Sequence, residues 1–243
     1  MPNLMKLHVI GSSSAGNGYA LCSGDGEILL IEAGVKPKET IKAIDYRVEC
    51  VSGCVVSHTH GDHAQYITAY SKLGIRVGCN QDVANKKTAL LFPNILQPGK
   101  TYSFGFFRVT PFEVKHDVPN LGFIIHHKDM GTMLFATDTY TLPYEFRNVD
   151  HFLIEANYSD EILYENIRKG VVSPIQRARL MVSHMSLNNC MLNLSRCHAD
   201  KSKNIILIHL SSRNSDAARF KTRVASRFAV PTYIAEKGLT INL

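Results

Sequence analysis

Seven consecutive residues, Ser57-His58-Thr59-His60-Gly61-Asp62-His63, constrain this chain more than any other stretch of it. His58, His60, Asp62 and His63 all bind metal ions readily, and polar groups packed this densely need partners once they are buried. On an extended segment, residues two apart project to one side, so His58 and His60 can grip one ion together. Gly61 has no Cβ and permits a tight reversal, which leaves Asp62 and His63 free to face a second ion. The competing reading is a solvated His-rich loop. Two ions need more ligands than these, and the chain offers them after apolar stretches: His116 beyond Phe106 to Phe112, Asp138 beyond Met133 to Ala136, and His209 beyond Ile205 to Ile208. Singly, each reads more readily as a loop or cap residue than as a ligand. Their shared position after strands groups them, and a carboxylate at Asp138 is suited to bridge both ions. His8, His126, His127, His151 and His198 read as surface or satisfied core imidazoles.

The cluster lies between a brief strand, Cys54 to Ser57, and a helical stretch, Ala64 to Leu73. Strands are predicted before it at Met5 to Ile10, Tyr19 to Ser23 and Glu27 to Ile31, with a helix over Lys38 to Asp45. A second series follows: Phe106 to Phe112, Leu121 to His126, Met133 to Ala136 and Phe152 to Ile154, then helices from Ser159 to Ala199. A strand at Asn204 to His209, a helix over Asp216 to Ser226 and a strand at Leu239 to Asn242 close the chain. Two such series predict an α/β fold, layered as an αββα sandwich. With 45% apolar residues and no repeat or linker, the 243 residues are expected to form one domain, 1–243. No apolar run approaches the roughly 18 to 20 residues that span a bilayer, and Met1 to Ile10 lacks the pattern of an export signal. A soluble, cytoplasmic protein away from membranes is expected. The six cysteines are scattered, which favours reduced core thiols over disulfides or a structural zinc. A net charge of +6 suits a polyanionic partner, although no basic run concentrates it.

With HxHxDH followed by His116, Asp138 and His209 in that order, the chain resembles the metallo-β-lactamase superfamily over nearly its whole length. Within it, the chain is most similar to the YycJ (WalJ) exonuclease group. The resemblance rests on the Gly11-Ser12-Ser13-Ser14-Ala15-Gly16-Asn17 turn, on Ile154-Glu155-Ala156-Asn157-Tyr158, and on the pair Ser183-His184-Met185-Ser186 and His209-Leu210-Ser211-Ser212. That pair is also similar to tRNase Z. Glu32, Ser183 and Leu187 depart from the group, where Asp, Gly and Asn are typical.

The resemblance implies a four-layer metallo-β-lactamase sandwich and a metal-dependent hydrolase with two divalent ions, Zn²⁺ or Mn²⁺. His58, His60 and His116 would hold one ion, Asp62, His63 and His209 the other, with Asp138 bridging. A hydroxide activated by both ions would attack phosphorus in line, so the expected activity is that of a nuclease, 5′-3′ exonuclease-like, on DNA before RNA. Thioester hydrolases of the glyoxalase II type share the same ligands, and a nucleic-acid-binding module that has lost catalysis is the other alternative. His184 and the basic charge favour the nuclease, and the complete ligand set counts against a retired site. His184 matches no metal position and precedes Ser186, a good N-cap, so its imidazole and the helix N-terminus are both expected to face a phosphate. Asp62 and His184 are thus the catalytic candidates. Ser13, Asn17 and Ser211 are candidates for substrate contact, each equally readable as a turn former.

Overall fold

Strands that are apolar at nearly every position present two greasy faces, and in the central strands β3 (Ile28–Ile31), β11 (His151–Glu155) and β12 (Asn204–Ile208) both faces are covered. The structure is a computed structural model that describes residues 4–243. Met1 to Asn3, part of the expected 1–243 domain and of the Met1 to Ile10 stretch, lie outside the described residues. Strands β1 (Lys6–Gly11), β2 (Gly18–Cys22), β3 (Ile28–Ile31), β4 (Val51–Val56), β5 (Val77–Cys79) and β6 (Asn94–Ile95) belong to one sheet. The other sheet holds β7 (Tyr102–Phe104), β8 (Phe107–Val114), β9 (Asn120–His127), β10 (Gly131–Ala136), β11 (His151–Glu155), β12 (Asn204–Ile208) and β13 (Thr232–Ile234). The last strand, β14 (Thr240–Asn242), returns to the first sheet, giving the orders β14-β1-β2-β3-β4-β5-β6 and β13-β12-β11-β10-β9-β8-β7.

Leu29 and Ile31 of β3 point between the sheets, where they join Phe123, Phe135 and Leu153 from the facing sheet. Ile28 and Leu30 point the other way and join Ile67, Tyr70 and Val83 of the covering helices α3 (Ile67–Lys72) and α4 (Gln81–Lys86). On the far side, Phe152 and Ile154 pack with Leu187, Leu194, Phe220 and Val224 of α7 (Leu187–Arg196) and α8 (Ala217–Phe228). Three apolar layers between four layers of structure are the αββα sandwich that the patterning predicts. Phe135 is fully buried, with its ring 6.0 Å from both Phe123 and Tyr19. Phe135→Ala is expected to cost about 3–5 kcal/mol in urea unfolding; a cost under about 1 kcal/mol would show that the inner layer is not packed this way.

β3, β4 and β5 are parallel, as are β10, β11, β12 and β13. β8 runs with β10, because each pairs antiparallel to β9 between them. The functional residues therefore gather at one end of the sandwich, on turns beyond β3, β4, β8, β10, β11 and β12.

Several sequence expectations are revised. Phe106 is an exposed turn residue, and the strand starts at Phe107 and continues to Val114, which carries the chain directly to His116. The helix expected over Ala64 to Leu73 is two helices, α2 (Gly61–Ala64) and α3, because Tyr66 donates its amide to Ala33 rather than continuing the first helical ladder. β5, β6, β7, β13 and α4 were not legible in the sequence. The remaining helices are α1 (Pro37–Ala43), α5 (Asp160–Arg168) and α6 (Pro174–Ser183). The six cysteines are free thiols. Among the described residues no helix is long and apolar enough to cross a membrane.

Candidate metal centre

Glu32 and His209 directly follow β3 and β12, Asp138 lies two residues beyond β10, and all three adopt left-handed backbone, with φ of 67°, 56° and 52° respectively. Side chains other than Gly, Asn and Asp rarely take that conformation, and it turns each of these into the space between the sheet ends. Asn120 fixes the Asp138 turn by donating its side-chain amide to the carbonyls of Thr137 and Asp138. Ser12, in the early Ser-rich turn, accepts the backbone amide of His209 at 3.0 Å. Gly34 lies so close to the carbonyl of Asp62 that a Cβ there would collide with it.

The structure brings His58, His60, His116 and Asp138 into one group and Asp62, His63, Asp138 and His209 into another; within each, the donor atoms lie within 4.8 Å of one another. Asp138 is common to both groups. The outward nitrogens of His58, His116 and His209 are each tied to an oxygen, and that of His63 lies near one without a hydrogen bond. His58 Nδ1 bonds to Ser57 Oγ at 2.9 Å and His116 Nδ1 donates to the carbonyl of Ser183 at 3.0 Å. Glu32 lies 3.5 Å from His63 Nδ1, and Glu155 lies 3.1 Å from His209 Nδ1. Such partners set the tautomer and leave each Nε2 lone pair facing the centre. His116 Nε2 then meets His60 Nδ1 at 3.2 Å, and His58 Nε2 is buried with no hydrogen-bond partner, 3.4 Å from Asp138 Oδ2. Converging lone pairs and carboxylate oxygens, one nitrogen orphaned among them, fit divalent cations.

The electrostatics divide the rings: two stay neutral, and two are drawn toward the charged form by the carboxylates, gaining a proton that a bound cation would displace. Burial lowers His58 and pushes His116 down to about 4, so both rings stay neutral. For His209, burial opposes the charged ring but Asp138 and Asp62 outweigh it, raising its pKa to about 10. His63 is raised in the same way, with Asp138 and Glu32 overcoming burial. Burial would likewise raise Asp62 and Asp138, yet the surrounding histidines hold both carboxyls well below their usual range. Ionised carboxylates are the form that binds metal.

Glu155 is the residue that sequence reasoning used only as part of a resemblance and that the structure makes central. It is fully buried, and one of its oxygens takes His184 Nδ1 at 2.7 Å and His209 Nδ1 at 3.1 Å. Its other oxygen accepts the amides of Thr139 at 3.2 Å and Met185 at 3.1 Å. Burial works against the Glu155 anion, but His184 and His209 outweigh it and lower its pKa. In turn, Glu155 outweighs the effect of burial on His184 and raises that ring above an ordinary histidine. His184 lies stacked on His209, with ring centroids 5.4 Å apart. It lines a cavity of about 540 Å³ together with Asp62, His116, Asp138 and His209.

The substrate candidates separate. Ser211 lines that cavity, but its Oγ also accepts the amide of Asn214 at 3.2 Å. Ser13 lines a neighbouring cavity instead and accepts the amide of Ala15 at 3.2 Å. Asn17 is buried, and its side-chain amide lies 3.2 Å from Asp62 Oδ2 and 3.0 Å from His63 Nε2, so it steadies the His-Asp turn from behind. The N-terminus of α7 does not face the cavity. Ser186 caps it by accepting from Asn189, the Leu187 amide goes to Tyr158, and Leu187 itself is core. Of the histidines set aside, His151 and His8 have partners in Met130 and Thr240.

Residues 30–210 match the family described as the beta-lactamase superfamily domain, and the chain belongs to that superfamily; with this fold, it is a metal-dependent hydrolase. It is 27% identical to exodeoxyribonuclease YycJ of Bacillus anthracis, over 98% of this chain and 93% of that one. It is 28% identical to exodeoxyribonuclease WalJ of Streptococcus pneumoniae, over 86% of this chain and 83% of that one. The metallo-beta-lactamase fold protein YhfI of Bacillus subtilis shares the fold, with a TM-score of 0.78 at 18% identity over 99% of this chain and all of that one.

Proposed function

We propose that residues 1–243 form one catalytic domain, a nuclease that removes nucleotides from the end of a DNA strand in 5′-3′ exonuclease fashion. In this reading His58, His60 and His116 hold one divalent ion and Asp62, His63 and His209 a second, with Asp138 between them. Zn²⁺ and Mn²⁺ both suit this donor set. Ions bound there supply Lewis acidity, which lowers the pKa of water toward about 7 and offsets charge on phosphoryl oxygens. Asp62 aims its carboxylate at the centre, steadied by Asn17. His184, held by Glu155 through Nδ1, is left with Nε2 to contact a phosphoryl oxygen or to protonate the departing one. The reading rests above all on His184: a polar side chain, anchored on a buried carboxylate beside the donor cluster, which metal binding alone does not require. The names of the two exodeoxyribonuclease relatives support it, as does the +6 charge. Six free thiols suit the reducing cytoplasm.

The test is cleavage of 5′-phosphorylated single-stranded DNA, duplex DNA and RNA with Mn²⁺ or Zn²⁺, before and after chelation. Release of mononucleotides, lost with EDTA and fastest on DNA, is expected. His184→Ala should retain its metal by elemental analysis and lose about 10²-fold in kcat. Metal-loaded wild-type protein that cleaves none of these polymers yet hydrolyses a thioester would replace this reading with the glyoxalase II type.

A further inference from the structure

Helix α6 is exposed along Pro174–Arg179, with Ile175 83% and Val182 62% exposed. So little burial leaves it weakly held, since helices in water draw most of their stability from packing. Its anchor is a small cluster of Tyr158, Leu163 and Val172, with Leu180 packed against it. The helix nevertheless overhangs the metal-centre cavity: Gln176, Arg179 and Leu180 form one wall, and Ser211 to Asn214, Arg213 among them, form another. α6 carries Arg177 and Arg179 and no acidic residue. Arg179 donates to Asp117 Oδ2 at 3.0 Å, and Asp117 Oδ1 lies 3.2 Å from His116 Nε2 and 3.3 Å from His60 Nε2. The guanidinium is thus drawn to the rim of the donor cluster while its side chain stays 70% exposed. Arginine has five N–H donors in a fork that matches phosphate oxygens, and this single contact leaves most of them free.

Building on the nuclease reading, we propose that α6 is a strand clamp, with Arg179 binding a backbone phosphate adjacent to the scissile one and Arg213 holding the strand from across the cavity. A cavity of about 540 Å³ falls within the ~300–1,000 Å³ range of small-ligand clefts, a size that suits the end of a single strand. Asp117 holds the arginine beside the reaction centre until the strand arrives. The charges of Arg179 and Arg213, which line the cavity, complement a polyanion, which favours a strand over a second copy of this chain as the occupant.

The experiment measures anisotropy of a fluorescein-labelled oligodeoxynucleotide bound to the full chain in EDTA over a salt series. Wild type is compared with Arg179→Ala, Arg179→Lys and Arg177→Ala, each checked for fold by circular dichroism. Hydrolysis of the oligonucleotide and of bis(p-nitrophenyl) phosphate by the metal-loaded proteins is measured alongside. Arg179→Ala is expected to weaken binding about tenfold and to flatten the log–log salt slope by about 0.7, the value of one phosphate contact on a single strand. It should raise KM for the oligonucleotide and lose at least about fivefold more on that substrate than on the small diester. Arg179→Lys restores the slope but only part of the affinity, because a lysine lacks the fork. Arg177→Ala, on the same helix but outside the cavity, leaves both activities unchanged. An unaltered slope in Arg179→Ala, or equal losses on both substrates, overturns the clamp, as does self-association of the chain through α6 that Val182→Asp abolishes. Wild-type protein that neither binds nor cleaves the oligonucleotide overturns the nuclease reading and the clamp with it; a cleaving wild type with an unaffected Arg179→Ala overturns the clamp alone.

Discussion

Asp138→Asn is expected to fold normally, to lose bound metal and to lose roughly 10³-fold or more in turnover, the several kcal/mol that metal ions contribute to such reactions. Asn is the informative replacement because position 138 is left-handed, with φ of 52°, and Asn tolerates that backbone where Ala would be strained. The substitution therefore removes charge and one acceptor while leaving the turn, and the Asn120 bonds that hold it, in place. No other residue is common to both the His58-His60-His116 and the Asp62-His63-His209 groupings, so its loss affects both sets at once. Elemental analysis after gel filtration gives metal content, and thermal unfolding shows whether the fold survives. Retention of wild-type metal and turnover by Asp138→Asn would remove Asp138 from the centre.

Glu155→Ala is expected to be the more damaging change to stability, by about 3–5 kcal/mol, because it removes one partner from a fully buried charge pair. The amides of Thr139 and Met185 lose their acceptor, and His184 and His209 lose the anchor that orients them. Glu155→Gln keeps the volume but sets an NH₂ group among groups that need an acceptor. It should fold, retain most of the stability and lose about 10–100-fold in activity or metal affinity, the usual cost of disturbing the support of a metal ligand. Chemical denaturation and metal titration of the two variants separate the effects. Equal stability of wild type and Glu155→Ala would mean that the carboxylate does not link the two histidines in solution.

The His58-to-His63 segment was legible because its chemistry is local: four donors within six residues have few other uses. His116, Asp138 and His209 were legible at one remove, through the apolar strands that precede them. Residues that act through others were not. Asn120 and Asp117 are single polar residues without a pattern around them; Glu155 and Ser12 stood inside motifs that did not reveal their partners, and Asn17 gave a turn signal that concealed its contact with Asp62. The N-cap at Ser186 was readable, but not the burial that turns the N-terminus of α7 away from the cavity.

By itself, the sequence determined the layered fold class and pointed to the candidate donors, since continuously apolar strands must be covered on both faces and dense metal-type residues must be satisfied. Tertiary structure alone decided the short strands, because two or three residues of β5, β6 or β7 carry no periodicity and form only as rungs on neighbours already in place. It also decided which oxygen holds each imidazole and which helix overhangs the cavity. Those pairings join residues as far apart as Ser12 and His209, and distance along the chain says nothing of them until the two sheets have packed.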